Sequence, residues 1–233
     1  MLKVIALCDG LGRALKYWRR IGSTPGIEMH LVVANSTDRA LGRTFASHAK
    51  YIVTHGLSAA LLSGSLIVRR RVRFFASNMN GQRITRHIAS LRADVGLHGA
   101  GCIYKEAIIG ALRLGILNAH IGLLPQYRGR SVMEWSLLEL QRTGVTVFFI
   151  DTGIDTGARV VVRREIDVSG FPCVAAAKTF LFDCDAVLYE DALRILLEPG
   201  KALEIQRADE GRRYFVMSQL FVGVVERLLR PPS

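Results

Sequence analysis

Three side chains able to manage charge during a group transfer lie between residues 118 and 157 of this 233-residue chain. Asn118 and His120 stand two apart at the end of the apolar run G-I-L, and Asp155 follows His120 by 35 positions in D-T-G-I-D-T-G. If the first run is a strand, side chains at i and i+2 share a face, so an amide and an imidazole aim together. Gly122 and Pro125 then call for a turn. Val145 to Ile150 is a β-branched and aromatic run, suited to a strand buried on both faces. It empties into the loop in which Gly153 and Gly157 bracket Asp155. A carboxylate there sits at the carboxyl end of a strand, where open α/β sheets place their ligands. A plainer account uses the same residues. His120 and Asn118 can be a structural hydrogen-bonded pair, and Asp151 and Asp155 can be turn or capping residues.

The elements that must position these groups alternate. Residues 2–8 read as a first buried strand, and C-D-G-L-G-R opens a helix from about Ala14 to Ile21. Those glycines suit a tight turn or a bound anion, but the dinucleotide fingerprint is incomplete. Residues 27–34 read as a second strand, Asp38 to His48 as a helix, and Tyr51 to Thr54 as a short third strand. From Leu57 the apolar spacing is helical to about Ile67, and the tail to Phe75 is strand or loop. Asn78 to Leu91 fits a helix, V-G-L-H-G-A-G a strand, and Glu106 to Leu114 a helix leading into I-L-N-A-H. Ser131 with Glu134 makes a capping-box pattern for a helix to Gln141, its start just after Arg128 and Arg130. A strand follows at A-R-V-V-V-R-R-E-I. Pro172 opens one long helix ended by Pro199-Gly200, and Met217 to Arg230 is a last amphipathic helix. This alternation predicts an α/β fold, a Rossmann-like open and mostly parallel sheet with helices on both faces. With no linker in view, residues 1–233 read as one domain, with a short extension from about residue 200.

The formal net charge of +11 points to an anionic partner. Arg69, Arg70, Arg71 and Arg73 run into Phe74 and Phe75, a basic and aromatic neighbourhood that RNA-binding surfaces use and that a solvated basic face shows as well. The four cysteines have neither paired nor metal-ligand spacing, so they read as reduced thiols in a cytoplasmic protein. No stretch approaches the roughly 18 apolar residues of a membrane helix, and no metal ligand set is expected.

The string N-x-H-x-G-L-L-P-x-Y-R-G over residues 118–129, followed by G-I-D-T-G over 153–157, resembles the formyltransferase family that uses N10-formyltetrahydrofolate. Enzymes acting on glycinamide ribonucleotide, methionyl-tRNA and amino sugars belong to it. The resemblance covers residues 90–200 well and the amino-terminal third in layout only. It implies a Rossmann-like fold, with Asn118, His120 and Asp155 as catalytic residues. It also implies that the folate's pterin ring bonds to backbone groups at Cys102, Ile103 and Tyr104 and at Thr152, Gly153 and Ile154. When an acceptor amine attacks the formyl carbon, Asn118 and a protonated His120 would donate to the oxyanion. Asp155 would favour the charged imidazole and help move the amine's proton.

The acceptor is less explicit. Gly122 replaces a serine that many members carry, and some amino-sugar enzymes have glycine there. About 30 residues follow Pro199, too few for the tRNA-gripping domain of the methionyl-tRNA enzymes. The expectation is therefore a small anionic amine, foremost a nucleotide-linked amino sugar held by Arg128 or Arg130. Nucleic acid and membrane are not expected as partners, and a homodimer is compatible with the sequence. Two rivals stand beside this reading: a basic nucleic-acid-binding module on a Rossmann-like scaffold, and a folate-binding protein without turnover.

Overall fold

The computed structural model describes residues 1–35, 41–151, 153, 155–207 and 209–229, with backbone alone at residues 35, 41–52, 55 and 57. These residues form two compact units, Met1–Leu117 and Asn118 onward.

In the first unit the chain runs β1 (Leu2–Cys8), α1 (Leu11–Ile21), β2 (Ile27–Asn35), α2 (Leu41–Val68), β3 (Val72–Asn78), α3 (Gln82–Leu91), β4 (Val95–Gly99) and α4 (Glu106–Ile109). It then enters β5 (Gly115–Ile121), of which residues 115–117 belong here. The strands stand in the order β3-β2-β1-β4-β5 and pair in parallel. Parallel neighbours need a crossover between them, which is why helices separate the strands. Val4 to Cys8 are completely buried at the middle of this sheet, as a strand covered on both faces requires. Helix α1 turns Leu11, Ala14, Leu15 and Ile21 inward at helical spacing.

In the second unit β5 finishes with residues 118–121. It is followed by β6 (Tyr127–Gly129), α5 (Val132–Leu138), β7 (Gly144–Phe149), β8 (Arg159–Glu165), α6 (Val174–Asp183), α7 (Asp185–Leu197), β9 (Glu204–Ile205), β10 (Arg212–Tyr214) and α8 (Gln219–Leu229). Strand β7 is buried along its whole length and pairs antiparallel with β8, which pairs antiparallel with β9. Strands β6 and β10 form a separate two-stranded parallel sheet. The architecture is thus the expected Rossmann-like, mostly parallel α/β fold.

Several expected elements differ. Tyr51 to Thr54 is helix within α2, not strand. Four strand-forming residues do not outweigh helical neighbours, and the helix is interrupted only at Gly56, with φ 69° and ψ −160°. Of the expected helix from Asp38, the part up to Ala40 lies outside the described residues. Helix α1 begins at Leu11 rather than Ala14. Helix α3 begins at Gln82 because Asn78 to Gly81 form a turn, in which Asn80 N–H donates to Asn78 Oδ1 at 2.8 Å. Helix α4 ends at Ile109, against Gly110, instead of reaching Leu114. The long helix from Pro172 is two helices meeting at Cys184, and the last begins at Gln219. The capping box at Ser131 does not form. Ser131 takes a left-handed backbone (φ 53°) without a side-chain cap bond, and Glu134 pairs instead with Lys178 Nζ at 2.5 Å. Strands β6, β9 and β10, two or three residues each, were not expected. No helix among the described residues is long and apolar enough to cross a membrane.

One buried hydroxyl secures the turn after β5. Thr146 on β7 is fully buried, and its Oγ1 donates to the Gly122 carbonyl at 2.8 Å while accepting from Leu124 N–H at 3.1 Å. Gly122 N–H in turn donates to the Gly144 carbonyl at 2.8 Å. Thr146→Val keeps the shape but strands a buried donor and acceptor, which should lower unfolding free energy by about 1–3 kcal/mol. Denaturant melts of both proteins check this, and an unchanged midpoint would contradict it.

Candidate active site

The site in the second unit is built on β5. Asn118 and His120 leave the strand on one face, and Ala119 between them donates its N–H to the Tyr189 hydroxyl of α7 at 3.0 Å. The His120 side chain is 8% exposed and that of Asp155 13%. His120 Nδ1 lies 3.5 Å from Asp155 Oδ1, and Nε2 lies 2.9 Å from the Tyr127 carbonyl oxygen. A carbonyl only accepts, so Nε2 carries the hydrogen. That leaves Nδ1 as the ring atom open to exchange a proton, with a carboxylate beside it to support the charged ring. The expected donation from a protonated His120 to the oxyanion falls to Nδ1, because Nε2 is already engaged by the Tyr127 carbonyl.

The two aspartates of the loop after β7 separate cleanly. Asp151 Oδ1 accepts from Gly153 N–H and from the Thr156 hydroxyl, both at 2.9 Å, so it shapes the loop. Asp155, held at φ 54°, faces His120 with one oxygen and accepts from Gly129 N–H at 3.0 Å with the other. A non-glycine residue in this region is uncommon and is kept there by its surroundings. Strand β6 therefore touches both members of the pair, His120 through the Tyr127 carbonyl and Asp155 through the Gly129 amide. The half-buried Asn118 makes no side-chain hydrogen bond to a described residue, which leaves its amide donors for a ligand.

The remaining expected residues are dispersed. Cys102, Ile103 and Tyr104 lie in the first unit. Asn80 clamps this loop from its side chain, donating Nδ2 to the Ile103 carbonyl at 2.9 Å and accepting from Lys105 N–H at 2.7 Å. Ile103 itself is 77% exposed, while Tyr104 is buried with its hydroxyl 3.2 Å from His98 Nδ1. The Cys102 thiol is pushed up to about 11, by burial first and then by the nearby Asp9 carboxylate. It stays protonated at neutral pH and is a poor nucleophile. Gly153 is exposed, and Thr152 and Ile154 lie outside the described residues. Arg128 does not project as an anion holder: it is buried, and Nη2 donates to the Gly211 carbonyl at 3.3 Å. Arg130 is exposed. In the basic run, Arg71 is committed to Glu28 at 2.7 Å. No group of three or more possible metal ligands occurs among the described residues.

Sequence reasoning missed Tyr127, whose contribution is a backbone carbonyl, and Asn80, which is distant from the motif. It also missed the steric role of Gly122. With φ 150°, a Cβ at this position would stand 2.8 Å from His120 Nε2, 2.8 Å from Val132 Cγ2 and 2.9 Å from the Tyr127 oxygen. The first and last of these atoms are the two ends of the hydrogen bond that orients the ring.

Residues 4–170 match the profile of a family described as Formyl transferase. A methionyl-tRNA formyltransferase of Flavobacterium psychrophilum is 32% identical over 115 residues, 48% of this chain and 36% of the relative. The chain spans less than half the length of the curated relatives it matches in this way. Among solved structures, a 4-N formyltransferase from Francisella tularensis superposes with a TM-score of 0.61 at 12% identity, covering 100% of this chain and 90% of that one. A phosphoribosylglycinamide formyltransferase from Bacillus halodurans gives 0.58 at 18%, covering 84% and 96%. At these identities the superpositions speak to the fold alone.

Gly122→Ala tests the local geometry without reference to activity. The methyl group must displace the His120 ring or the Tyr127 backbone, and the backbone angle is unfavourable to a side chain. Unfolding free energy should fall by about 1–3 kcal/mol, with the His120 ring rotated away in a crystal structure of the variant. Unaltered stability and an unmoved ring would contradict the packing described.

Proposed function

The chain belongs to the formyl transferase family, and from that premise we propose that it moves a formyl group from N10-formyltetrahydrofolate to the amine of a small anionic acceptor. A nucleotide-linked amino sugar is the first candidate. The observation that supports the reaction most is the His120–Asp155 pair at 3.5 Å, with Asn118 two residues upstream on the same strand. The folate supplies a formyl group already activated on nitrogen, so no acyl-enzyme is required.

The residues suit that donor. Asn118 offers an amide N–H to the formyl oxygen as negative charge builds there, the kind of stabilisation that dominates acyl transfer. His120 Nδ1 takes the proton released by the attacking amine, while Asp155 offsets the imidazolium charge. Nε2–H, held by the Tyr127 carbonyl, keeps the ring in the tautomer with Nδ1 open. The backbone at Cys102, Ile103 and Tyr104, kept in shape by Asn80, is proposed to bind the pterin ring together with Thr152, Gly153 and Ile154. The protonated Cys102 thiol fits a packing role there.

For the acceptor, the net charge of +11 and the exposed Arg130 favour an anion, since a guanidinium can hold a phosphate bidentately. Arg128, committed to the Gly211 carbonyl, recedes from that role. A second reading has specific support: relatives 30–35% identical are methionyl-tRNA formyltransferases, and a basic surface suits RNA as well.

With an acceptor identified, Asn118→Ala and His120→Ala should each lose roughly two orders of magnitude in kcat, as expected for removing one donor or the base. Asp155→Asn should lose activity while keeping its bond from Gly129. Near-normal rates in all three variants would refute the site. Acceptor choice is read by comparing kcat/KM for amino-sugar nucleotides, free amino sugars, glycinamide ribonucleotide and charged initiator tRNA. The nucleotide-linked sugar should lead, and Arg130→Ala should penalise it more than the free sugar. A preference for tRNA would overturn the acceptor while leaving the reaction intact.

A further inference from the structure

Tyr127, on whose carbonyl His120 leans, is itself held by its side chain. The Tyr127 phenol donates to Glu139 Oε2 at 2.9 Å, and the Tyr214 phenol donates to the same carboxylate at 2.9 and 3.0 Å. The two rings stack with centroids 5.3 Å apart and planes 24° from parallel, and Trp135 leans on Tyr214 at 5.6 Å. Trp135 is fixed in turn by its indole N–H, which donates to the Phe215 carbonyl at 2.8 Å. Both tyrosines are buried. Burial first, and then the Glu139 carboxylate, raises both phenols above the ordinary tyrosine range, so both remain donors across the neutral range.

The backbone around Tyr127 is held in the same way. Strand β10 pairs with β6 in the register Arg212–Tyr127, Arg213–Arg128 and Tyr214–Gly129. Arg212 N–H donates to the Gln126 carbonyl at 3.0 Å, and Arg130 N–H to the Tyr214 carbonyl at 3.1 Å. A Cβ on Gly129, which sits at φ 102°, would collide with that Tyr214 oxygen. Three residues of β6 thus sit between β10 on one side and the His120–Asp155 pair on the other. Glu139, just past the end of α5, bonds to side chains of both strands.

We infer that Glu139 is a positioning residue for His120: by fixing Tyr127 and Tyr214 it sets the Tyr127 carbonyl, and through that carbonyl the tautomer and direction of the imidazole. This deepens the proposed reaction and rests on it for its catalytic consequence, but not for its structural content. Glu139 touches no reacting atom. Its exposed carboxylate accepts from the part-buried hydroxyls of both tyrosines, and the strand that carries Tyr127 has only three residues with which to hold its place. Loss of the acceptor releases the ring, the carbonyl shifts, and the imidazole loses its reason to keep the hydrogen on Nε2. Outer-shell partners of catalytic imidazoles act in this manner by fixing tautomer and orientation.

Two measurements test it. Two-bond proton–nitrogen NMR spectra of 15N-labelled protein, with His120 assigned from the signals lost in His120→Ala, read which ring nitrogen carries the hydrogen. The wild type should show the Nε2–H form, and Glu139→Ala should show a mixture. Tyr127→Phe, which removes one hydroxyl and keeps the carbonyl, should move the spectrum the same way and serves if Glu139→Ala does not fold. In the assay with formyl donor and acceptor, either variant should lower kcat by about 10- to 100-fold with KM for the donor unchanged. The same substitution made on His120→Ala should cost nothing more. An unmoved His120 spectrum in a folded variant, or equal losses with and without His120, would overturn the inference. If no formyl transfer is found at all, the proposed reaction fails, and the spectrum still decides the positioning.

Discussion

The hydrogen bond from His120 Nε2 to the Tyr127 carbonyl, 2.9 Å long, is the constraint around which the second unit is arranged. It joins the end of β5 to β6 across a turn in which a Cβ at Gly122 would crowd both ends of the bond. Thr146 and Gly144 tether that turn to the fully buried β7. Strand β7 delivers Asp155, whose second oxygen comes back to β6 at Gly129. Each of these contacts is made by main chain on at least one side. The His120–Asp155 pair is therefore oriented through backbone groups of β6, so whatever sets that short strand sets the pair.

That arrangement explains what could be read from the residues and what could not. Asn118, His120 and Asp155 stood out because strand periodicity and a glycine-bounded loop fix where such side chains point. The alternation of strands and helices pointed to the parallel sheet for the same reason, as β1 is an apolar run with few other ways to be buried. Strands β6 and β10 carry no such signal, being Y-R-G and R-R-Y, and they exist because they pair across 85 positions. Glu139 carries no mark of its contacts in the sequence: it lies exposed just past the end of α5, and it accepts from two phenols. Ser131 and Glu134 matched a local motif that does not form: Ser131 takes a left-handed backbone without a cap bond, and the distant Lys178 claims Glu134. Tyr51 to Thr54 failed in the opposite direction, local strand preference giving way to a surrounding helix.

Charge tells a similar story. A surplus of eleven positive charges invites one explanation, but the arginines divide by context. Arg71 neutralises Glu28, Arg163 pairs with Glu204, Arg164 with Asp191, and Arg159 lies over the Phe149 ring. Arg128 is spent on the Gly211 carbonyl, within the segment that leads into β10. Arg130 is exposed directly after β6, which narrows the anion question to a residue that can be removed without touching His120 or Asp155.

The central claim is most directly examined by a crystal structure with a non-transferable analogue of N10-formyltetrahydrofolate bound. The account predicts the analogue's formyl oxygen about 2.7–3.1 Å from Asn118 Nδ2, with His120 Nδ1 facing the path of the incoming amine and Nε2 still on the Tyr127 carbonyl. A formyl group bound away from Asn118, or an imidazole turned off Tyr127 in that complex, would contradict it.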